Sequence, residues 1–168
     1  VDDVKWSLDR ARDPKNGTWN FTLESIDSIT TQGTDTVVLH LKHADPALTA
    51  ALAIFNTSIM SKKLFEAAPG ANDADKAKAF AEKPVGSGPF MLDSWQRGTQ
   101  MVLKRNPYYW QMGEDGKPLP YLDEVDFPVI PDDATRILKL QAGEVDGAEL
   151  IPYARVAELK NDPNLDME

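Results

Sequence analysis

The sequence predicts a mixed α/β fold, and three observations carry that prediction. Apolar residues alternate at Val37, Leu39 and Leu41 and again at Val125, Phe127 and Val129, the period of half-buried strands. They recur at helical spacing at Val4, Leu8 and Ala11 and at Ile137 and Leu140. Helices and strands do not alternate strictly, so the chain is not a run of parallel βαβ units.

The elements follow in order. Residues 2–12 read as a helix, with Asp2 and Asp3 at its positive end, Arg10 and Arg12 at its negative end and Pro14 stopping it. Residues 21–30 and 36–42 read as strands joined by the hairpin turn Gln32-Gly33-Thr34-Asp35. Asp45-Pro46 starts a short helix, with Asp45 as N-cap, Pro46 in the first helical position, and Leu48 and Leu52 facing inward. Two more short helices follow Ser61 and Asn72, separated by Pro69-Gly70. The segment Pro84-Val85-Gly86-Ser87-Gly88-Pro89 is a stiff turn whose glycines serve special backbone angles. Strands at 90–95 and 101–105 are joined through Arg97-Gly98.

Asn106-Pro107-Tyr108-Tyr109-Trp110 is a turn whose aromatics are expected to plug a core rather than stack on a ligand. The Gly- and Pro-rich stretch 113–120 is loop, and Val125 to Val129 is a strand that Pro128 confines to an edge. A helix over 132–142 is started by Asp132 and Asp133 and ended by Gly143. A strand near 145–150 and a helix near 154–160 complete the series.

Composition narrows the function. The 168 residues carry 18 Lys and Arg against 27 Asp and Glu, a net charge of −9, which argues against nucleic acid as a partner. Hydrophobic residues, at 42%, suffice for a core, yet no run approaches the ~20 needed to span a bilayer. The absence of Cys excludes a disulfide scaffold, a zinc–thiolate site and a thiol nucleophile, and it fits an oxidising compartment. The chain opens at Val1-Asp2-Asp3 and stops at Leu165-Asp166-Met167-Glu168, where a further apolar segment begins. Both are read as the ends of a slice from a longer protein.

Chemical motifs are sparse. Gly86-Ser87-Gly88 is followed by Pro89 and a strand, whereas phosphate-binding glycine loops open a helix. The two histidines, His40 and His43, project to opposite faces of a strand and read as solvated side chains, with no third metal ligand in register. No carboxylate pair stands out, and no Gly-x-Ser-x-Gly elbow is present. The expectation is a protein that is not an enzyme and needs no cofactor or metal.

Five stretches carry a resemblance. Val1-Asp2-Asp3-Val4-Lys5-Trp6-Ser7-Leu8-Asp9-Arg10 opens the chain, and Pro84-Val85-Gly86-Ser87-Gly88-Pro89-Phe90 runs on to Ser94-Trp95. Leu103-Lys104-Arg105-Asn106-Pro107-Tyr108-Tyr109-Trp110 and Tyr121-Leu122-Asp123-Glu124-Val125 follow. Ala142-Gly143-Glu144-Val145-Asp146 leads to Ile151-Pro152. Together, and in this order, they resemble the extracellular solute-binding proteins of ABC importers, family five, the group that binds oligopeptides, dipeptides and nickel. Ser87 departs from the family's usual Thr, conservatively, and the loop over 113–120 is somewhat long.

The resemblance implies a fragment of a two-lobed periplasmic-binding-protein type II fold. Residues 1–83 would be part of a small extra lobe, and 84–168 part of the lobe that carries the termini of the full-length protein. It implies capture of a small solute, a peptide above all, and delivery to membrane permease subunits. It also implies a periplasmic or lipid-anchored location outside the cytoplasmic membrane. The alternative on the same scaffold is a peptide-binding chaperone or signalling receptor. Ligand contacts are implied just after the Gly143-Glu144-Val145-Asp146 segment, at Glu149, Leu150, Ile151 and Tyr153, where a strand near Glu149 would end at the cleft. From the small lobe, Trp19 and Phe21 fall where the family supplies an aromatic, and Asn56 and Ser58 fall where the chain returns toward the cleft.

Overall fold

The structure, a computed structural model, describes residues 1–166; the apolar segment expected at the chain's end falls partly on Met167 and Glu168, outside the described residues. The chain forms two compact units, Val1–Leu92 with Lys104–Asp123, and Asp93–Leu103 with the chain from Glu124 onward.

In the first unit, α1 (Asp2–Arg12) carries its acidic and basic turns as expected and buries Ser7 and Leu8. Strands β1 (Ile26–Gln32) and β2 (Thr36–Leu41) pair antiparallel, with Gln32 opposite Thr36, and Gly33 takes φ 65° in the turn. Leu8, Leu23, Ile26, Ile29 and Leu48 form the core, with Val37 and Leu39 packed against it. Arg12 ties the helix to the hairpin, donating from Nη2 to the carbonyls of Ile26 (2.9 Å) and Asp27 (2.6 Å).

The strand expected from residue 21 begins only at Ile26, because Thr18–Leu23 coils into a 3-10 helix. There the Thr22 hydroxyl donates to the Trp19 carbonyl (2.8 Å) and the Glu24 amide to the Phe21 carbonyl (3.3 Å). That turn sends Leu23 into the core and leaves Trp19 and Phe21 outside.

Helix α2 (Leu48–Ala51) is short and starts later than Asp45-Pro46 predicts: its N-cap is Ala47, and Pro46 lies in the preceding turn, where Asp45 accepts from the Ala47 amide (2.9 Å). Helices α3 (Lys62–Glu66) and α4 (Asp73–Glu82) start where the sequence places them. The Ser61 hydroxyl accepts from the Leu64 amide (3.4 Å) and the Asn72 side chain from the Asp75 amide (3.0 Å). Buried Phe65 on α3 meets Trp6 at 5.1 Å and Phe80 at 5.8 Å between ring centroids.

Strands β3 (Phe90–Gln96), β4 (Gln100–Arg105) and β5 (Glu124–Pro128) form a second sheet in that order. The edge place of β5 is where Pro128 is tolerated. In the second unit, α5 (Asp133–Gln141) and α6 (Tyr153–Leu159) bury Ile137 and Leu159 almost completely. Asp132 caps α5, accepting from the Thr135 amide at 2.8 Å and hydroxyl at 2.6 Å, and Gly143 closes the helix at φ 69°.

Three further expectations are corrected. The segment 145–150 is irregular and takes no place in either sheet. Gly143 turns the chain out of α5, and Leu150 takes φ 56°, which breaks extended geometry. Gly86 and Gly88 do not occupy the left-handed region, and a Cβ on Gly88 would meet nothing within 4 Å, so this turn does not require glycine angles. Tyr108 and Trp110 are not a core plug: they are 88% and 78% exposed. The group that locks that turn is Asn106, 5% exposed, whose side chain donates to the Gly88 carbonyl (2.8 Å) and accepts from the Tyr108 amide (3.0 Å).

Candidate functional site

The first unit gathers four of the predicted residues at one surface. The 3-10 helix over Thr18–Leu23 and a second one at Phe55–Thr57 meet there. Trp19 and Phe21 stack at 5.9 Å and 27°, and Phe55 meets the Trp19 ring edge-on at 5.3 Å. All three rings are exposed. Asn56 stands beside them, with its Nδ2 3.4 Å from both the Trp19 carbonyl and the Thr22 hydroxyl. Its Oδ1 is shielded and accepts no hydrogen bond among the described residues. Ser58 is turned back on its own chain, donating to the Phe55 carbonyl at 2.8 Å. Below the surface, buried Thr57 donates to the carbonyls of Leu52 and Ile54, which fixes the turn that presents Phe55 and Asn56.

Phe55 escaped the sequence reading. Its neighbours Ala53, Ile54 and Asn56 give no clean period, so nothing marked it as an outward aromatic.

The second unit holds the other four. Glu149, Leu150, Ile151 and Tyr153 lie between α5 and the start of α6, not at a strand end. Leu150 and Tyr153 are 88% and 92% exposed, Glu149 is exposed and Ile151 half-buried. Arg136 on α5, also missed, donates from Nη2 to the Leu150 carbonyl (2.9 Å). Its long polar side chain gives no sequence signal for a partner fourteen residues on.

Other polar features are already satisfied. An open cavity beside α1 and α4 is lined by Arg10, Asp13, Lys15, Asn16 and Asp73, but its Arg10 is paired with Asp73 at 2.7 Å. His40 and Thr30 approach at 2.9 Å across the hairpin. Among the described residues no cluster of His, Asp or Glu is arranged to hold a metal ion. In the loop after β4, the Tyr121 hydroxyl donates to Asp115 at 2.8 Å. That bond holds the Asp115 carboxyl below its ordinary range and pushes the Tyr121 phenol up.

Exposed aromatic rings gathered at one surface of the first unit offer faces on which a ligand can pack. The family described as bacterial extracellular solute-binding proteins, family 5, middle part, matches residues 1–168. The chain belongs to that family. The glutathione-binding protein GsiB of Escherichia coli O1:K1 is 32% identical to it over 165 residues, 98% of this chain and 30% of the relative. The ABC transporter-associated periplasmic binding protein DppA of Helicobacter pylori, solved with the peptide STSA, superposes with a TM-score of 0.80 at 27% identity. That match covers 97% of this chain and 32% of the other. MoaA of A. tumefaciens R10, solved with mannopinic acid, gives a TM-score of 0.77 at 30% identity, covering 96% of this chain and 30% of that one. The mixed α/β chain thus matches a part of periplasmic binding protein structures, and it spans about 30% of the length of the curated relatives it matches. These relatives are binding proteins rather than enzymes.

Proposed function

We propose that this chain is part of the substrate-binding component of an ABC importer, which captures a peptide or peptide-like solute outside the cytoplasmic membrane and delivers it to permease subunits. Residues 1–83 belong to the small extra lobe in this reading, and 84–168 to the lobe that carries the termini. The ligand stabilises a closed arrangement of the whole protein by binding it better than the open one. No covalent step is required.

One observation carries the reading: the cluster of exposed Trp19, Phe21 and Phe55 rings. Exposed aromatic faces pack ligand side chains or peptide planes. Glu149, Leu150, Ile151 and Tyr153 offer a second set, in which Glu149 receives an amine or another cation. Ser58 supports the Phe55 turn. The relatives that bind glutathione and a peptide agree with an amide-bearing solute.

The test is ligand-dependent thermal stabilisation of the intact protein against glutathione and peptides of two to four residues. A ligand at a hundred times its Kd raises stability by about 2.7 kcal/mol. Trp19→Ala then weakens binding about three- to tenfold, the worth of one aromatic contact. A ligand bound equally well by Trp19→Ala, Phe21→Ala and Asn56→Ala would remove these residues from the site.

A further inference from the structure

We propose that Arg136 is a positioning residue for the Glu149–Tyr153 segment: by holding the Leu150 carbonyl it keeps the chain there in the left-handed conformation that sets how the segment faces a ligand. The inference rests on the reading of that segment as ligand-contacting.

Leu150 is the one residue other than glycine with positive φ, at 56°, among the described residues. A side chain with a Cβ disfavours that region by about 5- to 30-fold in equilibrium terms. Such a conformation persists only where its surroundings over-determine it. Packing of the side chain does not do so, because Leu150 is 88% exposed. The segment has no strand pairing either. What holds it is the 2.9 Å bond from Arg136 Nη2 to the Leu150 carbonyl.

Arg136 is built for that task. Its side chain is 16% exposed, and it follows the capped first turn of α5. Nη1 donates to the Ile130 carbonyl at 2.9 Å, and Nη2 also reaches Asp133 at 2.7 Å. Its Nε is shielded and meets no acceptor among the described residues, so the guanidinium is oriented through its two terminal nitrogens. One planar fork therefore bridges the backbone before α5 and the backbone after it. The next residue, Ile137, is 1% exposed and anchors the helix. A lysine keeps the charge but not the fork. If φ at 150 relaxes to negative values, the directions of Glu149 and Ile151 change relative to each other, and the contact set is lost without losing a contacting side chain.

The experiment compares Arg136→Lys in two backgrounds of the intact protein, native Leu150 and Leu150→Gly. Glycine adopts the left-handed region without penalty, so it keeps that conformation populated even without the Arg136 bond. The readouts are the backbone angles at residue 150 by crystallography and the Kd for glutathione and the tetrapeptide Ser-Thr-Ser-Ala. In the native background, Arg136→Lys is expected to abolish positive φ at 150 and to weaken the bound probe about tenfold. In the Leu150→Gly background the same substitution is expected to leave positive φ populated about as much as negative φ and to change Kd by no more than about twofold. Equal losses of affinity in both backgrounds, or positive φ retained in Arg136→Lys alone, would overturn the proposal. If the native protein binds neither probe, the angles alone decide. Positive φ lost with Leu150 but still populated with Gly then supports the lock, while the ligand-contact reading fails separately.

Discussion

Replacing Asn106 by alanine is the sharpest test of how the turn after β4 is held. Asn106 is 5% exposed, and its side chain spans two strand ends, donating to Gly88 and accepting from Tyr108 at 2.8 and 3.0 Å. Its own amide donates to the Pro89 carbonyl at 2.8 Å, which alanine retains. Alanine removes two side-chain bonds, each worth about 0.5–1.5 kcal/mol net. It also leaves a carbonyl and an amide without partners, at about 1–3 kcal/mol for each group that water does not reach. Gly88 is only half-buried, so water offsets part of that cost. With water taking over at the Gly88 carbonyl, the sum is about 2–6 kcal/mol, or roughly 8–24 °C in Tm for a unit of this size. Calorimetric or urea unfolding of the intact protein reads it. An unchanged midpoint would refute Asn106 as the lock of that turn.

Three more outcomes are expected. Ile137→Ala, at a site 1% exposed, lowers stability by about 2–5 kcal/mol in the same unfolding assay. Gly98→Ala, at φ 75°, costs about 1–2 kcal/mol, whereas Gly88→Ala, with ordinary φ and open space for a Cβ, stays within about 0.5 kcal/mol. The Thr135 hydroxyl first, and then its amide, lower the Asp132 pKa below the ordinary carboxylate value. Its contribution to α5 is therefore complete above the unfolded pKa of about 3.9 and is lost as pH falls through the lower folded value. Asp132→Ala removes that acid-side loss, as amide exchange across α5 between pH 5 and pH 2 (roughly the carboxylate range) will show.

What the sequence made legible is local. Ser61, Asn72 and Asp132 announce their helices because a cap acts within three residues, and each accepts the expected amide. The β1–β2 hairpin follows from alternation plus Gly33. What stayed hidden depends on distant partners. The strand expected near 145–150 lacks a neighbour to pair with, and the Leu150 carbonyl meets Arg136 from the start of α5 instead. Tyr108 and Trp110 carry the composition of a plug, yet exposure is a tertiary property, and the buried polar Asn106 fills that place. Trp19, Phe21 and Asn56 entered the candidate site through a family resemblance, and the structure brings them to one surface. Phe55, which completes the aromatic cluster, joins it only because two 3-10 turns far apart in sequence meet.

Capture without reaction is tested most directly by titration calorimetry of the intact protein with glutathione and short peptides, followed by analysis of the recovered ligand. The account predicts heat that saturates at one ligand per chain, with the ligand returned chemically unchanged. Heat that continues in proportion to added ligand, with a converted product in the recovered solution, would contradict it.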